Sequence, residues 1–376
     1  MTLQVLVRDA SGAVAGIAEP EDLKLVCRFN DVGTWQLSAA LDDVPGALLQ
    51  RGAAVVITDE YGHVMSGPVV DFEILHDKDH PDGHVTLNGF SDEAFIQRRC
   101  CFPDPDHDPT AQAVPRRIIT GVASTVLRAY VNENTGPGAL AARRSGLVLE
   151  ATDPLIGATI TGTARFHNLL DEIRVLAVAG GGLGFRVTRT LTGAPTFEVF
   201  QPEDKTASIV LSRGTNTLEE SKYSLKAPTG TYAIAGGQGT LENRTFRFAV
   251  DTATEADWGD RFEVFHDSNS EDDTDKIQQD ADTKLKESGE TGSVSFVPID
   301  SPDIQIRRDY WLGDKITVDI GKGVRVQNVI REIEIVANLD GVVYRPRAGD
   351  ENATATPADR KKIADALRQI RELQVR

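Results

Sequence analysis

The chain has 376 residues, 40% of them hydrophobic, and a formal net charge of −17 at pH 7. This length and apolar content suffice for roughly two to four small domains, and no apolar run approaches the roughly 20 residues of a membrane span. The N-terminus lacks a signal-peptide pattern and the negative charge opposes nonspecific nucleic-acid binding, so we expect a protein made in a cytoplasm, without membrane insertion or specific DNA contacts.

Residues 3–98 have β character throughout. Strands are predicted at residues 3–8, 24–29, 34–41, 53–58, 63–75 and 84–90. Glycine-containing turns lie at residues 9–12, 59–62 and 80–83, where a turn favours a residue that tolerates positive φ. Strands at this spacing, with no helix between them, usually close into a barrel or sandwich. We therefore predict a first β-barrel domain over residues 1–100.

Helical periodicity follows a Pro- and Asp-rich linker that begins at residue 104. A first helix is predicted over residues 111–133, where apolar residues recur at three or four positions. A second helix has a continuous apolar stripe that three glycines, residues 180–182, terminate. The stripe consists of Phe166, Leu169, Leu170, Ile173, Leu176 and Ala177. With a hairpin over residues 185–190 and 196–200, these helices form a predicted α+β insert domain, residues 101–205.

Strands return in the second half of the chain. They are predicted at residues 209–212, 217–226, 231–235, 240–250, 293–299, 315–320, 324–337 and 342–345, with a helix at 272–287. The segment Tyr-Trp-Leu-Gly-Asp at residues 310–314 runs directly into one of them and is typical of a turn that enters a strand. We predict a second β-barrel domain over residues 206–349, with an acidic helical insert at 251–290 that holds 14 Asp or Glu against 4 Lys or Arg.

The C-terminal part, residues 350–376, reads as a linker and a helix. Pro357 stands where a helix would begin, and the predicted helix covers residues 358–375 with apolar residues at a and d spacing, Ala366 among them. Two heptads are too few for an independent coiled coil, so this helix is expected to pack on its own protein, its copies or a partner. The residues expected to make that contact are Ile363, Leu367, Ile370 and Leu373. The predicted fold class is thus mainly β with α+β inserts.

The sequence contains only weak matches to metal-binding, phosphate-binding or catalytic motifs. The acidic run at residues 104–108 begins like a calcium loop, but Pro109 stands where that loop needs glycine. His76, His80 and His84 are four residues apart, yet a turn at 81–83 separates them. The glycines of 180–184 follow a helix, the reverse of a phosphate-binding loop. No hydrolase motif is present, so we expect no enzyme activity, no catalytic or metal-binding residue and no cofactor.

The three cysteines cannot form a disulfide framework. Cys100 and Cys101 are adjacent and would bridge only with strain, and Cys27 is far from both in the sequence. We expect reduced, structural thiols.

The order of the parts resembles the siphovirus tail-tip hub family, in particular the minor tail proteins of actinobacteriophages. The segments that carry the resemblance are residues 33–37, 52–58, 65–69, 168–171, 184–187 and 310–314. The resemblance implies a baseplate-hub fold with three copies around the tail axis. Two barrel hub domains per chain would then give a pseudo-sixfold collar between a hexameric tail tube and a trimeric tip.

The implied location is the tail tip of the virion, where the ring lines the channel for DNA ejection. The implied partners are two further copies, the distal tail protein and tail tube above, the central fibre or other tip proteins below, and the tape measure protein. Hub relatives often continue into a lysin or receptor-binding extension that this sequence does not show, so attachment and channel closure are expected rather than cell-wall cleavage. Two alternatives remain: a receptor- or carbohydrate-binding tail protein, for which aromatics should cluster on an exposed face, and a tail-associated cell-wall hydrolase.

Overall fold

The computed structural model describes residues 2–190, 192–269, 272, 274–321 and 324–349. The predicted C-terminal helix and its four contact residues lie outside this part of the chain. Two compact units are present. The larger unit comprises residues 1–221 and 295–348, and the smaller unit comprises residues 222–294.

The N-terminal part of the larger unit is a run of seven strands. They are β1 Gln4–Arg8, β2 Val14–Ala18, β3 Asp22–Arg28, β4 Thr34–Ala40, β5 Ala54–Asp59, β6 Gly62–Leu75 and β7 His84–Phe90. A short helix, α1 Ala94–Gln97, follows. Six of the strands match the predicted ones, whereas β2 was not predicted.

The middle of the chain alternates strands and helices. Its elements are β8 Arg117–Val122, α2 Ala123–Asn134, β9 Val148–Leu149, β10 Thr159–Ala164, α3 Leu169–Ala179, β11 Gly184–Thr188 and β12 Thr196–Phe200. Helices α2 and α3 pack on these strands around a core that includes Tyr130, Ile173 and Phe197. The predicted second helix and the hairpin are confirmed, except that Phe166 lies before α3, with φ +56°, and is exposed.

The remaining elements belong to both units. They are β13 Val210–Ser212, β14 Leu218–Lys226, β15 Tyr232–Gly236, β16 Phe246–Val250, α4 Thr252–Trp258, β17 Glu263–Asp267, α5 Thr274–Ser288, β18 Thr291–Pro298, β19 Lys315–Gly321, β20 Val324–Asn338 and β21 Gly341–Gly349. The chain enters the smaller unit along β14 and leaves it along β18.

Most of the strands predicted for the two barrels join in one sheet of thirteen strands, whereas those predicted at 231–235 and 240–250 are β15 and β16 of a separate sheet. The order of the thirteen-stranded sheet is β14-β18-β21-β20-β3-β4-β7-β6-β5-β1-β2, and β19 pairs with β20 and with β13. The link between the N-terminal and C-terminal strands is the antiparallel pair β20 and β3. The mainly β class is confirmed. The pairings among the described residues form an open order, so closure into barrels stays a prediction.

Side-chain alternation places the core on one face of this sheet. In β3, Leu23, Leu25 and Cys27 are buried, while Asp22 and Lys24 are exposed. This period of two is what a strand with one buried face requires. The buried thiol of Cys27 belongs to that core, and burial raises its pKa to about 12. All three cysteines are free.

The smaller unit is a three-stranded sheet with one helix on it. The central strand β15 pairs with β16 in antiparallel and with β17 in parallel orientation. Helix α5 covers one face, where Ile277 and Ala281 pack against Ala235 and Ala249. The prediction of a helix at 272–287 is confirmed as α5, whereas α4 and β17 were not predicted.

Two predicted elements are wrong in part. The first half of the helix expected at 111–133 is strand β8, which pairs with β10, and α2 begins only at Ala123. The β-branched residues of β8 suit a strand, and pairing with β10 outweighs their helix-like spacing. The strand expected at 240–250 is limited to β16, because residues 241–243 form a 3-10 turn and Arg244 donates to the carbonyls of Gly236 and Gly237.

Candidate functional site

The segment at residues 310–314 forms a locally closed turn at the start of β19, as its composition predicted. The carboxylate of Asp314 accepts from the backbone N–H of Trp311 at 3.0 Å and from Nζ of Lys205 at 2.8 Å. Gly313 has φ +91°, and a Cβ there would lie 2.6 Å from the ring of Phe29. Glycine is therefore required at this position, and the segment is held against the N-terminal strands.

A cleft of about 280 Å³ opens beside this segment within the larger unit. Strand β3, strand β6, strand β11 and the loop before β19 line it. The apolar part of its wall combines aliphatic side chains with four aromatic ones, Phe29, Phe185, Phe200 and Trp311. The cleft is thus the place where three distant parts of the sequence meet.

A buried ion pair fixes the loop at one side of the cleft. Nε of Arg307 lies 2.7 Å from Oδ2 of Asp59, and one of its terminal nitrogens donates to Oδ1 at 3.1 Å. The side chains are 8% and 0% exposed. Arg307 also donates to the carbonyl of His63 at 3.0 Å, and its guanidinium lies 4.4 Å from the ring centre of Trp311. This two-point geometry orients both partners.

A second buried polar group lies at the other side. Oγ of Ser66 donates to Oδ2 of Asp92 at 2.5 Å, and Nε2 of His63 lies 3.0 Å from the same hydroxyl. Nε of Arg189 is 3.2 Å from Oδ2 of Asp92. Burial raises the pKa of Asp92, which the charge of Arg189 opposes. Burial, reinforced by the charge of Arg307, lowers the pKa of His63 to about 4.

These residues bring a serine, a histidine and an aspartate together, but in the wrong order for nucleophilic catalysis. A catalytic serine gives its proton to histidine, which the carboxylate orients from the far side. Here Ser66 donates to Asp92 directly, and its side chain is buried. The arrangement therefore holds structure together and does not expose a nucleophile. The sequence contained no motif for this group.

Glu93 is a buried acid in the wall of the cleft. Burial raises its pKa from the ordinary 4.5 to about 7, although Ser91 and the N–H of Val187 donate to it. The bond from Val187 to Oε1 is 2.8 Å long. Glu93 thereby ties α1 to β11, and its proton can be lost near neutral pH.

The candidate metal motifs do not assemble. His80 is paired with Asp77 at 3.0 Å and His84 with Glu21 at 3.4 Å, so their rings face different carboxylates. His107 is paired with Asp104 at 2.9 Å. Within the described ranges, no group of three or more His, Cys, Asp or Glu is arranged to hold a metal ion. Glycines 180–182 end α3, as expected.

Two exposed apolar surfaces are candidates for contacts. Along the second half of β6, Val70, Phe72 and Ile74 are exposed. On the smaller unit, the sheet face away from α5 exposes Phe246, Phe248, Val250 and Phe265 and includes Tyr232 and Ile234. This second surface is called the aromatic face below. The period-2 pattern of apolar residues at 246, 248 and 250 indicates a strand in the sequence. Strand β17 was not predicted because charged residues interrupt its apolar pattern.

No helix in the described part of the chain has both the length and the apolar character needed to cross a bilayer.

Three solved structures share this fold over nearly the whole chain. They are the 43 kDa tail protein of prophage MuSo2 from Shewanella oneidensis (TM-score 0.60, 9% identity, 92% of this chain and 98% of that one), a tail protein from Neisseria meningitidis MC58 (0.57, 13%, 93% and 97%) and the prophage tail protein gp18 from Listeria monocytogenes EGD-e (0.56, 11%, 97% and 99%). At these identities the likeness is one of fold.

Sequence comparison identifies the family. No curated protein matches the chain. A family model described as "Siphovirus ReqiPepy6 Gp37-like protein" matches residues 5–350. The resemblance to siphovirus tail proteins, stated from the order of the sequence segments, is confirmed. The chain belongs to the siphovirus ReqiPepy6 Gp37-like protein family.

Proposed function

We propose that this phage tail protein is a baseplate hub, in which three copies form a ring between the hexameric tail tube and the trimeric tip. The observation that carries the proposal is the family match over residues 5–350, together with a tail-protein fold that covers more than nine-tenths of the chain. In this proposal the distal tail protein and tube lie above the ring, the tape measure protein reaches it, and the central fibre or other tip proteins lie below.

The proposed domain division gives the ring its pseudo-sixfold character. The β-rich parts 1–100 and 206–349 would supply two positions per subunit, with the insert 101–205 between them. The antiparallel pair β20 and β3 joins the two parts edge to edge in one sheet, so their relative position within a subunit would be fixed. Three subunits then offer six similar positions to a hexameric neighbour.

The second half of β6 is the surface that we propose for contact between subunits. Residues 69–75 pair with β7 on one side and, among the described residues, have no strand on the other. The exposed Val70, Phe72 and Ile74 lie along this stretch. An unpaired strand edge is a ready template for another chain. Asp71 and Glu73 alternate with the apolar residues along this edge, so Val70, Phe72 and Ile74 would make the contact.

Native mass measurement tests the ring directly. We expect a species of three times the chain mass of 40.8 kDa. Phe72→Lys with Ile74→Lys should shift it to the monomer, because two charges would be buried at the contact. Val175→Lys, at an exposed residue of α3, is the matched control and should leave the mass unchanged. A wild-type chain that stays monomeric at all concentrations contradicts the proposed ring.

The negative charge has a role in this proposal. An acidic channel wall repels DNA phosphates, so the genome would pass during ejection without adhering. The net charge of −17 supports it. A structure of the assembled tail tip would reveal the bore, and a basic wall would rule this role out.

The C-terminal segment is proposed as the hook for a distal fibre or for a neighbouring subunit, through Ile363, Leu367, Ile370 and Leu373. Deletion of residues 350–376 should leave the ring assembled and remove the distal tip proteins from purified tails. An unchanged tip composition would argue against this role.

Neither alternative gains a specific observation. The aromatic face meets the expectation of clustered aromatics, but Arg244 beside Phe246 and Phe265 is already bonded to Asp267 and to backbone carbonyls. A sugar needs polar groups that can turn to its hydroxyls. For a hydrolase, the buried Ser66 and His63 do not form an accessible nucleophile and base. The structural role is therefore the one proposed.

A further inference from the structure

The smaller unit has a sheet that is covered on only one side. Helix α5 lies on one face, and the aromatic face is the other. On it Phe246, Phe248 and Phe265 are 49%, 57% and 51% exposed. The phenylalanines lie on the two outer strands, β16 and β17, and Ile234 of the central strand β15 pairs with both Phe248 and Phe265. Together these side chains form a contiguous apolar surface rather than scattered exposed residues.

The composition of the sheet face opposite α5 indicates that a cover is missing. The sheet is mixed, since β15 pairs with β17 in parallel and with β16 in antiparallel orientation, and the solvated face of such a sheet normally carries polar residues rather than phenylalanines. The ring of Tyr232 stacks on Phe248 with centres 5.3 Å apart, and the guanidinium of Arg261 lies 4.4 Å from the centre of the Tyr232 ring at the edge of the sheet. An exposed apolar sheet face fits the apolar side of a helix, giving a three-layer arrangement with α5 on the far side.

The C-terminal segment has one apolar side, as a helix that docks on the aromatic face requires. In the predicted helix 358–375, the contact residues Ile363, Leu367, Ile370 and Leu373 fall on one side, and Asp365 and Glu372 fall on the opposite side. The apolar ridge from 363 to 373 is about 15 Å long at helical rise. A strand of five residues, the length of β15, β16 and β17, spans about 16 Å.

The charges are also complementary. Residues 222–294 contain 15 Asp or Glu and 8 Lys or Arg, whereas residues 357–376 contain 3 and 6. On the aromatic face itself, Glu263 and Asp267 flank Phe265 on β17, and Asp267 is paired with Arg244, so the complementarity is one of net charge between the unit and the segment. Opposite net charges favour the approach of segment and surface and fix the orientation.

We propose that the C-terminal segment of this chain, residues 358–375, docks on the aromatic face of the smaller unit through Ile363, Leu367, Ile370 and Leu373. The proposal deepens and rests on the proposed contact role of that segment, since it names the partner surface within the assembly. The occupant is the segment itself, whether it comes from the same chain or from a neighbouring copy.

Disulfide trapping in the full-length chain tests the contact. Phe248→Cys is combined with Leu367→Cys in a Cys100→Ser background, which removes the exposed native thiol. The control pair is Phe248→Cys with Glu372→Cys, on the polar side of the same predicted helix. A docked helix of about 10 Å diameter holds residue 372 beyond disulfide reach, so we expect roughly tenfold more disulfide for the first pair.

Proteolysis gives a second readout that needs no new thiol. Trypsin cleaves after Arg368 and Arg371, and cleavage of a docked helix requires its release. Phe248→Ser with Phe265→Ser should raise the cleavage rate roughly tenfold. Val175→Ser with Val178→Ser, which removes two exposed residues from α3, should not. Leu367→Asp changes the docking segment and leaves the aromatic face intact, and it should also raise the cleavage rate. Faster cleavage of this variant cannot be attributed to misfolding of the aromatic face.

Equal disulfide yields for the two cysteine pairs, or cleavage rates that none of the variants change, would overturn the proposal. An intrachain or an interchain disulfide at 248 and 367 would support it equally. A trimer without the disulfide would reject the docking and leave the proposed ring intact. A monomer with the disulfide would reject the ring and leave the docking.

Discussion

Arg307 and Asp59 form a bidentate ion pair across 248 residues of sequence, at the point where the loop before β19 meets the end of β5. Both side chains are almost completely buried. Arg307 adopts φ +73°, a conformation that costs free energy for a residue with a side chain and persists only where its surroundings hold it. The pair and the ring of Trp311 provide that support.

Breaking this pair should destabilise the larger unit strongly. Asp59→Ala leaves the Arg307 guanidinium buried without its partner, and we expect a loss of about 3–5 kcal/mol in the free energy of unfolding. Adding Arg307→Met should recover part of the loss, because the unpaired charge is then gone. Urea unfolding followed by tryptophan fluorescence measures both variants.

The exposed pair of Lys24 and Glu334, 2.7 Å apart, is the matched control. Lys24→Ala should cost less than about 1 kcal/mol, since solvent screens a surface pair. A similar cost for Asp59→Ala and Lys24→Ala would contradict the assigned role of the buried pair.

Gly89 is required because the Trp35 ring lies against it. The two residues are opposite each other on β7 and β4, and a Cβ at Gly89 would lie 2.2 Å from Cε2 of Trp35 and 2.4 Å from the carbonyl oxygen of Pro68. Gly89→Ala should therefore cost about 1–3 kcal/mol through displacement of the ring and the backbone.

Gly46→Ala is the control for Gly89→Ala, because nothing lies within 4 Å of a Cβ at Gly46. It should be neutral or slightly stabilising, as the unfolded chain loses freedom. Thermal unfolding of both variants decides the question: equal Tm values would mean that Trp35 can move aside without cost.

Local features of the sequence predicted local structure well. The turn at residues 310–314 closes through bonds between Asp314 and its near neighbours, so its residues suffice to indicate it. Helix α3 likewise begins at its own capping residue and ends at its own glycines. Strand β2 was missed because Ala15, Gly16 and Ala18 have little strand preference and the strand shows no clear alternation of buried residues, and pairing with β1 is what forms it.

Features made by distant residues could not be predicted. Asp59 follows a predicted strand and Arg307 lies in a loop, and nothing in either segment indicates the other. The same holds for Ser66 and Asp92, which meet through the pairing of β6 with β7. Strand β8 shows the opposite case, because its local spacing is helix-like but it pairs with β10, about 41 residues later in the sequence. Periodicity is judged within a short window and does not detect a partner strand at that separation.

Asn168 caps α3 and also ties it to α1. Its Oδ1 accepts from the N–H of Leu170 at 3.0 Å, and its Nδ2 donates to the carbonyl of Gln97 at 2.7 Å. Asn168→Ala removes both bonds, and we expect a cost of about 1–2 kcal/mol. Asn168→Asp keeps the acceptor for the helix and should lose less. A chain in which both variants unfold like the wild type in urea would show that the cap is dispensable.

Glu93 and His63 should give the larger unit two opposing pH dependences. The folded-state pKa of Glu93 is about 7 against 4.5, so its contribution to stability is complete below pH 4.5 and is lost as the pH rises through 7. The folded-state pKa of His63 is about 4 against 6.5, so its contribution is complete above pH 6.5 and is lost as the pH falls through 4. Each amounts to about 3 kcal/mol over its window.

Between pH 4.5 and 6.5 the two groups change the free energy of unfolding with pH in opposite directions and by nearly equal amounts. Single variants should therefore reveal each dependence. With Glu93→Gln the free energy of unfolding should rise with pH relative to wild type, and with His63→Gln it should fall. Asp92, whose pKa burial also raises, stays in place in every variant. Glu19→Gln, at an exposed residue just after β2, is the control and should follow the wild type. Parallel curves for all four proteins, measured by urea unfolding from pH 4.5 to 7.5, would show that neither buried group titrates with folding.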